Sequence, residues 1–141
     1  MDWRKLLCYL LIGSFPLLAH SQPSPIGLWQ TYDLDHTPRD IIKISQNDNQ
    51  LIGIIVKPAG KSNFCTTCPG TLHNKPIKGL QIIWGLKQQE NAWRNGHVLS
   101  IDNGKIYQCT VSVSADNKVL HFAPFIGNPL FGVTLDWVRV E

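Results

Sequence analysis

The stretch KIYQCTVSVS, residues 105–114, decides the fold class of this chain of 141 residues. Its apolar and polar residues alternate, and the apolar set is Tyr107, Cys109, Val111 and Val113. Because successive side chains of a β-strand point to opposite faces, this alternation gives one apolar face and one polar face. The stretch is therefore predicted to be a strand in the wall of a β-barrel.

Comparable runs rich in Ile, Val, Trp, Tyr and Thr recur along the rest of the chain, and none keeps the period of a helix. Together with the stretch at Lys105 they give eight predicted strands, the others being IGLWQTYD from Ile26, RDIIKIS from Arg39, QLIGIIVK from Gln50, LQIIWGLKQ from Leu80, AWRNGHVLSI from Ala92, KVLHFAPF from Lys118 and GVTLDWVRV from Gly132. Short connections rich in Asp, Asn and Gly separate most of them, as in hairpins between antiparallel neighbours. We predict an all-β, eight-stranded antiparallel up-and-down meander, closed into a small barrel because closure leaves no unpaired edge.

Two connections are longer. The cysteine loop, residues 58–79, reads PAGKSNFCTTCPGTLHNKPIKG, and IGNPLFG, residues 126–132, precedes the last strand. Long loops rich in Gly and Pro are typical of binding rims and lids. The predicted strand QLIGIIVK is apolar on both faces, so we expect another part of the chain, such as the cysteine loop, to cover its outer face.

The first and last predicted strands carry a matching pair of residues. In a closed meander these strands are neighbours, so Trp29 would plug one end of the barrel with the Arg139 guanidinium across its indole ring. Gly27 would let the backbone pass close to that ring. These three residues are predicted to be structural parts of the barrel end.

The Gly-x-Trp opening with a terminal Arg resembles the lipocalin and wider calycin pattern, in which the pair seals the closed end of a ligand-binding cup. The segments IGLWQT, CTTCPG, KPIKGLQIIWGLK, NGKIYQC and FGVTLDWVRV also resemble the uncharacterised bacterial family "domain of unknown function 2147". That second resemblance implies an exported protein of Gram-negative bacteria, periplasmic or secreted. It implies no known activity.

The N-terminal stretch MDWRKLLCYLLIGSFPLLAHS, residues 1–21, has the parts of a secretory signal peptide: two basic residues, an uncharged apolar run, and a small-residue pair, Ala19 and Ser21. A transmembrane anchor is the alternative, but the run is interrupted by a glycine and a proline and falls short of the roughly 20 apolar residues that a bilayer requires. The mature chain, residues 22–141, is then a single barrel domain with no transmembrane segment.

The charge of the chain is small. The net charge of +3 falls to +2 when the signal peptide, with its two basic residues and one acidic residue, is removed. This balance predicts no nucleic-acid partner and gives no argument for an anionic membrane surface.

Three cysteines remain in the mature chain, Cys65, Cys68 and Cys109, and in an oxidising compartment two of them should pair. The sequence leaves all three pairings open. Cys65, Cys68 and His73 also have the spacing of three ligands of a zinc knuckle, but Lys78 occupies the fourth position, which leaves Cys109 as the substitute. A redox-active Cys-x-x-Cys is a further alternative that lacks its usual strand–helix setting. We predict a disulfide that fixes the cysteine loop and no metal.

No catalytic constellation is evident. The histidines of the mature chain lie in separate segments, without the spacing of a metal or nucleophile motif. A hydrolase with paired carboxylates stays an alternative, since its members can meet only in the fold. The prediction is a protein that is not an enzyme, with no catalytic residue and no cofactor.

Aromatic residues are the better candidates for function. Those near predicted strand ends or loops are Trp84, Trp93, Tyr107, Phe122, Phe125 and Phe131. They are predicted to line an apolar pocket or its mouth, with core packing as the alternative. The predicted function is binding of a small apolar or amphipathic molecule, as a carrier or sensor. The competing function is a docking module for a second copy of the chain, as a homodimer, or for another protein of the bacterial envelope.

Overall fold

The computed structural model describes residues 13–18 and 22–140. Residues 13–18 lie outside any helix or strand, and the rest of the predicted signal peptide lies outside the described residues. Within these two ranges, no helix is long and apolar enough to cross a bilayer.

The eight predicted strands are present and form one closed antiparallel barrel in chain order. They are β1 (Gly27–Tyr32), β2 (Pro38–Asn47), β3 (Gln50–Lys57), β4 (Gln81–Gln89), β5 (Ala92–Leu99), β6 (Ile106–Val113), β7 (Val119–Phe125) and β8 (Leu135–Val140). The barrel closes where Trp29 of β1 pairs with Arg139 of β8. The prediction of a closed up-and-down meander is confirmed.

The two ends of the barrel differ in their connections. The closed end contains the chain before β1 and the short turns after β2, β4 and β6. In these turns Asp48, Glu90 and Asn117 have positive φ angles of 55°, 57° and 64°, as tight turns between twisted strands require. The mouth contains the connections after β1, β3, β5 and β7. The cysteine loop and the loop before β8 therefore lie at the same end of the barrel, the mouth.

Trp29 fills the closed end of the barrel. Its ring is fully buried, and its Nε1 donates a hydrogen bond of 2.8 Å to the carbonyl of Pro25. The guanidinium carbon of Arg139 lies 4.2 Å from the ring centroid, a cation–π geometry. A Cβ added to Gly27, where φ is +141°, would lie 2.5 Å from Nη1 of Arg139. A glycine at this position therefore leaves the space that the guanidinium occupies.

Arg139 also joins three segments of the chain through hydrogen bonds. Its Nε donates to the Asn117 carbonyl at 2.7 Å, its Nη1 to the Ile26 carbonyl at 2.9 Å, and its Nη2 to the Ser24 carbonyl at 2.6 Å. The segment before β1, the turn after β6 and β8 are thus connected through one side chain.

The barrel interior is a packed apolar core. Its largest fully buried side chains include Trp29, Ile44, Ile55, Ile83, Leu86, Leu99 and Leu120. Nearer the mouth, the rings of Phe122 and Trp137 stack with their centroids 4.4 Å apart. Because side chains fill the middle of the barrel, space for a small molecule lies toward the ends.

The outer face of β3 is partly covered. Its apolar residues Ile52, Ile54 and Val56 are half-buried. At this strand the amide of Gly79 donates to the Ile55 carbonyl at 2.7 Å, so the end of the cysteine loop runs alongside β3. The expected cover is therefore present at one end of the strand.

Candidate ligand site at the barrel mouth

The mouth opens where β7 and β8 separate. Their pairing ends at Phe122 and Leu135, although β7 continues to Phe125. Pro124 has no amide hydrogen to donate to a neighbouring strand. The chain then crosses the gap through a 3-10 turn at Pro129–Phe131, whose first turn is capped by the Asn128 side chain accepting from the Leu130 amide at 3.0 Å.

A cleft of about 510 Å³ lies under this crossing, and we refer to it as the mouth cleft. It is lined by Val98, Ser100, Tyr107, Phe122, Pro124, Phe125, Ile126, Gly132 and Val133. Most of these residues are apolar, and they come from β5, β6, β7 and the loop before β8. The volume and lining are those of a site for a small, largely apolar molecule.

Two polar groups face this apolar surface. The Tyr107 hydroxyl accepts a hydrogen bond of 2.9 Å from the Asn103 side-chain amide, so its own hydrogen is available to a ligand. The Ser100 hydroxyl makes no hydrogen bond to another described residue. A bound molecule with one polar group could therefore be oriented by Tyr107 or Ser100.

A charged rim borders the cleft. A smaller cavity of about 140 Å³ shares Ser100 with the mouth cleft and reaches Asp33, Arg39, Asp40 and Asp102. Arg39 lies 2.8 Å from the Asp102 carboxylate and 3.6 Å from that of Asp33. Partial burial acts to lower the pKa of Arg39, but the hydrogen bond and charge of Asp102 outweigh it, so the pKa lies above its usual value.

Asp40 is a buried carboxylate at this rim. It precedes Ile42 and Ile44 on the inward face of β2, and its Oδ1 accepts a 2.8 Å hydrogen bond from the Ala59 amide. In the sequence, Asp40 alternates with the same period of two as the core residues Ile42 and Ile44. This pattern could have identified it as an inward-facing carboxylate. The hydrogen bond fixes the start of the cysteine loop next to the mouth.

The predicted disulfide joins Cys65 to Cys68, and both residues are buried. Between them, the Thr67 hydroxyl donates a 2.6 Å hydrogen bond to the Ile101 carbonyl. A Cβ on Gly104, where φ is +72°, would collide with the Thr67 carbonyl. The disulfide turn is therefore docked on the β5–β6 connection, at the side of the mouth.

Cys109 is free and fully buried in the barrel wall. Burial raises the pKa of its thiol to about 12, so the thiol stays protonated near neutral pH. It behaves as a small apolar side chain. The described residues contain no cluster of three or more His, Cys, Asp or Glu side chains placed to hold a metal ion.

The structure brings three of the six predicted pocket aromatics together. Tyr107, Phe122 and Phe125 all line the mouth cleft. Phe131 belongs to the 3-10 turn above it, but its side chain lies outside the described part of the structure. The cleft residues that the sequence did not indicate, including Val98, Pro124 and Val133, are ordinary apolar residues whose role depends on strand register or, for Val133, on the path of the loop before β8.

The two predicted tryptophans lie elsewhere. Trp84 is paired with His97 on the outer wall, where the rings stack with centroids 5.7 Å apart. Trp93 lies at the closed end, in a cleft of about 540 Å³ that it shares with Gln22 and Pro23. That cleft is slightly larger than the mouth cleft, but about half of its lining is Gln, Asn, Ser and Lys, so its surface is more polar than that of the mouth cleft.

The four histidines of the described residues do not converge on either cleft. His121 lies 2.7 Å from Asp136 on the outer face of β7 and β8, and His97 stacks on Trp84. His36 and His73 lie in the connections after β1 and β3. The mouth cleft thus provides an apolar surface that can desolvate a ligand and two hydroxyl groups that can orient it. This arrangement is suited to binding.

A family model described as "Uncharacterized protein conserved in bacteria (DUF2147)" matches residues 27–139. The chain belongs to this family. The match runs from the Gly27 of the barrel closure to its Arg139, and so covers all of the barrel except its outermost residue. No curated protein matches the sequence.

Among solved structures, the DUF2147 chain is similar to protein HP1028 from the human pathogen Helicobacter pylori, a protein described as a member of the lipocalin family. The two share 18% sequence identity over 84% of each chain, with a TM-score of 0.74. At this identity the similarity establishes the fold. The chain is an eight-stranded barrel of lipocalin-like architecture, as the Gly-x-Trp and Arg pattern predicted.

Proposed function

We propose that this protein binds a small apolar or amphipathic molecule in the mouth cleft, as an exported carrier or sensor. The observation that carries the proposal is an apolar cleft of about 510 Å³ that opens at the mouth of a lipocalin-like barrel. Transfer of apolar ligand surface from water into the cleft supplies the free energy of binding. The hydroxyls of Ser100 and Tyr107 would orient a polar group on the ligand.

An exported location is part of the proposal. It is supported by the signal-like residues 1–21, by the disulfide between Cys65 and Cys68, and by a family of bacterial proteins. Disulfides persist in oxidising compartments such as the periplasm. We place the protein in the periplasm or outside a Gram-negative cell.

Ligand binding is testable with a matched pair of valine substitutions. Val133 lines the cleft and is 47% exposed, whereas Val138 is 43% exposed and belongs to β8 on the barrel wall. Titration of N-phenyl-1-naphthylamine, a neutral apolar fluorophore, should give saturable fluorescence enhancement. Val133→Arg should weaken that binding by about tenfold or more, because an apolar ligand that enters the cleft would have to desolvate the introduced guanidinium. Val138→Arg should leave it unchanged.

Native mass spectrometry of protein purified from the periplasm tests the same proposal with the natural ligand. The expected result is a protein mass that begins near Gln22, together with a small co-purifying mass that is lost in Val133→Arg. Absence of saturable fluorophore binding, or equal loss in both valine variants, would contradict the carrier function.

A further inference from the structure

The exposed apolar residues of the barrel are concentrated at one end. Within residues 22–140, eight large apolar side chains are exposed. Two of them, Ile26 and Val138, lie on β8 or just before β1. The other six lie in mouth connections or at the mouth end of β6, and they are Leu34, Phe64, Ile106, Ile126, Leu130 and Val133. We call these six residues the apolar rim.

The apolar rim is continuous with the mouth cleft. Ile126 and Val133 belong to both, and Leu130, at 86% exposed, lies between them in the chain. Phe64, at 53% exposed, extends the rim to the cysteine loop. An exposed apolar surface of this kind marks contact with a partner or a membrane.

Positive charge lies at the same end. The segment from Lys57 through the cysteine loop contains Lys57, Lys61, Lys75 and Lys78 and no acidic residue. All four lysines are exposed, and the described ion pairs involve none of them. Of the acidic groups at the mouth, Asp33 and Asp102 are paired with Arg39, and Asp40 is buried; Asp35 is exposed.

The closed end differs in having few exposed apolar side chains. Its turns after β2, β4 and β6 present Asp48, Glu90 and Asp116 with Lys118, and the adjoining ends of β4 and β5 add Lys87 and Arg94, so cations and carboxylates are mixed there. The mouth is therefore distinguished by its exposed apolar side chains together with a lysine-bearing segment that contains no acidic residue. A surface that combines exposed apolar residues with lysines complements the anionic headgroups and apolar interior of a phospholipid layer.

We propose that the mouth end of this barrel docks on an anionic phospholipid surface. Ile126, Leu130 and Phe64 insert among the headgroups, and the lysines of the cysteine loop contact lipid phosphates. Docking in this orientation places the mouth cleft against the lipid, so an apolar molecule can pass between membrane and cleft without crossing water. This inference concerns the partner surface and does not depend on which ligand the cleft holds.

Vesicle flotation tests the proposal with two variants and their matched controls. The vesicles contain equal parts of phosphatidylglycerol and phosphatidylethanolamine, or phosphatidylcholine alone. The unaltered protein should float with the anionic vesicles only, and release should follow when the salt concentration is raised to about 0.5 M, since screening weakens surface attraction. Lys61→Gln, Lys75→Gln and Lys78→Gln combined should reduce binding by about tenfold or more.

The controls replace exposed residues of the same types away from the mouth. The combination Lys43→Gln, Lys87→Gln and Lys118→Gln removes the same charge from the barrel wall and closed end and should retain binding. Ile126→Ser with Leu130→Ser should reduce binding, whereas Ile26→Ser with Val138→Ser should not. Thermal unfolding of every variant establishes that it is folded.

Several results would overturn the proposal: no flotation of the unaltered protein, equal binding to phosphatidylcholine, or equal loss in the two lysine combinations. Light scattering tests whether a second copy of the chain occupies the rim instead. A stable dimer that dissociates in the variant Ile126→Ser with Leu130→Ser would overturn the proposal in favour of that occupant. The N-phenyl-1-naphthylamine titration separates this test from that of the cleft, because the loop lysine variant should bind the fluorophore normally.

Discussion

At the scale of single residues, Arg139 does the most to hold the barrel closed. It stacks on Trp29 and donates to the carbonyls of Ser24, Ile26 and Asn117. Hydrogen bonds from a charged donor contribute about 1.5 to 3 kcal/mol each, and the cation–π contact contributes about 0.5 to 2 kcal/mol. These contributions overlap, so their sum is an upper bound on the effect of removing the side chain.

Arg139→Gln should lower the free energy of unfolding by about 3 kcal/mol, since glutamine can replace only part of the hydrogen bonding and none of the charge. Urea denaturation followed by tryptophan fluorescence measures this change. Arg94→Gln, at an exposed position on β5, is the control and should change stability by less than about 0.5 kcal/mol. Equal effects of the two substitutions would show that the contacts of Arg139 are dispensable.

Cys109 should make the fold sensitive to alkali. Its thiol has a pKa near 9 in an unfolded chain and about 12 when buried. Because the folded pKa is the higher one, the neutral thiol contributes its full stability below pH 9, and that stability is lost as the pH rises toward 12.

The comparison that isolates this effect is the pH dependence of urea denaturation for the unaltered protein and for Cys109→Ala. The difference in unfolding free energy between them should change by about 1.4 kcal/mol per pH unit in that range. Other groups titrate there as well, but they are common to both proteins. A constant difference between pH 8 and 11 would show that the thiol ionises freely in the fold.

At the scale of elements, the cysteine loop is held by several local contacts. The disulfide closes a ring of four residues, the Thr67 hydroxyl binds the Ile101 carbonyl, and Asp40 accepts from the Ala59 amide. The chain-entropy model values a ring of this size at about 2 kcal/mol, against about 4 kcal/mol for a bridge from either residue to Cys109. The loop is thus fastened to the β5–β6 connection through Thr67 and to the barrel wall through Asp40, and the disulfide acts only within the loop.

Removing the disulfide by Cys65→Ala with Cys68→Ala should therefore lower the free energy of unfolding by about 2 kcal/mol and leave the barrel folded. Hydrogen exchange should accelerate in residues 58–79 and in the β5–β6 connection, while the amides of β1 and β8 stay protected. A loss of about 4 kcal/mol, or faster exchange throughout the barrel, would mean that the ring supports more than its own loop.

The elements also show what the sequence can and cannot reveal. Alternation and turn residues predicted all eight strands, because each depends on local chemistry. The pairing of cysteines was left open because it depends on where residues 58–79 dock. The position of Trp84 depends on a shift in the β3–β4 register between Leu51 and Gly53, which no local pattern reveals.

The candidate site was predictable only in part, for the same reason. Tyr107 lies on the inward face by simple alternation, and Phe122 and Phe125 lie at the end of a recognisable strand. Ser100 and Val133 also line the mouth cleft because the pairing of β7 and β8 ends at Phe122. The end of this pairing is a property of the closed barrel. The aromatic residues of the sequence indicated a pocket, but the pairing register of the strands determines which of these residues line it.

At the scale of the whole molecule, the distribution of charge matters more than its sum. A net charge of +3 gave no argument for a membrane partner. The fold nevertheless collects four lysines, from Lys57 to Lys78, and six exposed apolar side chains at the mouth. Strand order brings the connections that carry these residues to the same end of the barrel, so their grouping is a consequence of topology.

The pairing of β1 with β8 also constrains when the protein can become native during its synthesis. Trp29 and Arg139 are 110 positions apart, and the last of the eight strands supplies the guanidinium. A nascent chain that lacks β8 has two unpaired strand edges and an indole that Arg139 does not cover. We therefore expect the barrel to close only when translation is nearly complete. Such a delay is compatible with the export that we propose, because an exported chain crosses its translocation channel before it acquires a rigid shape.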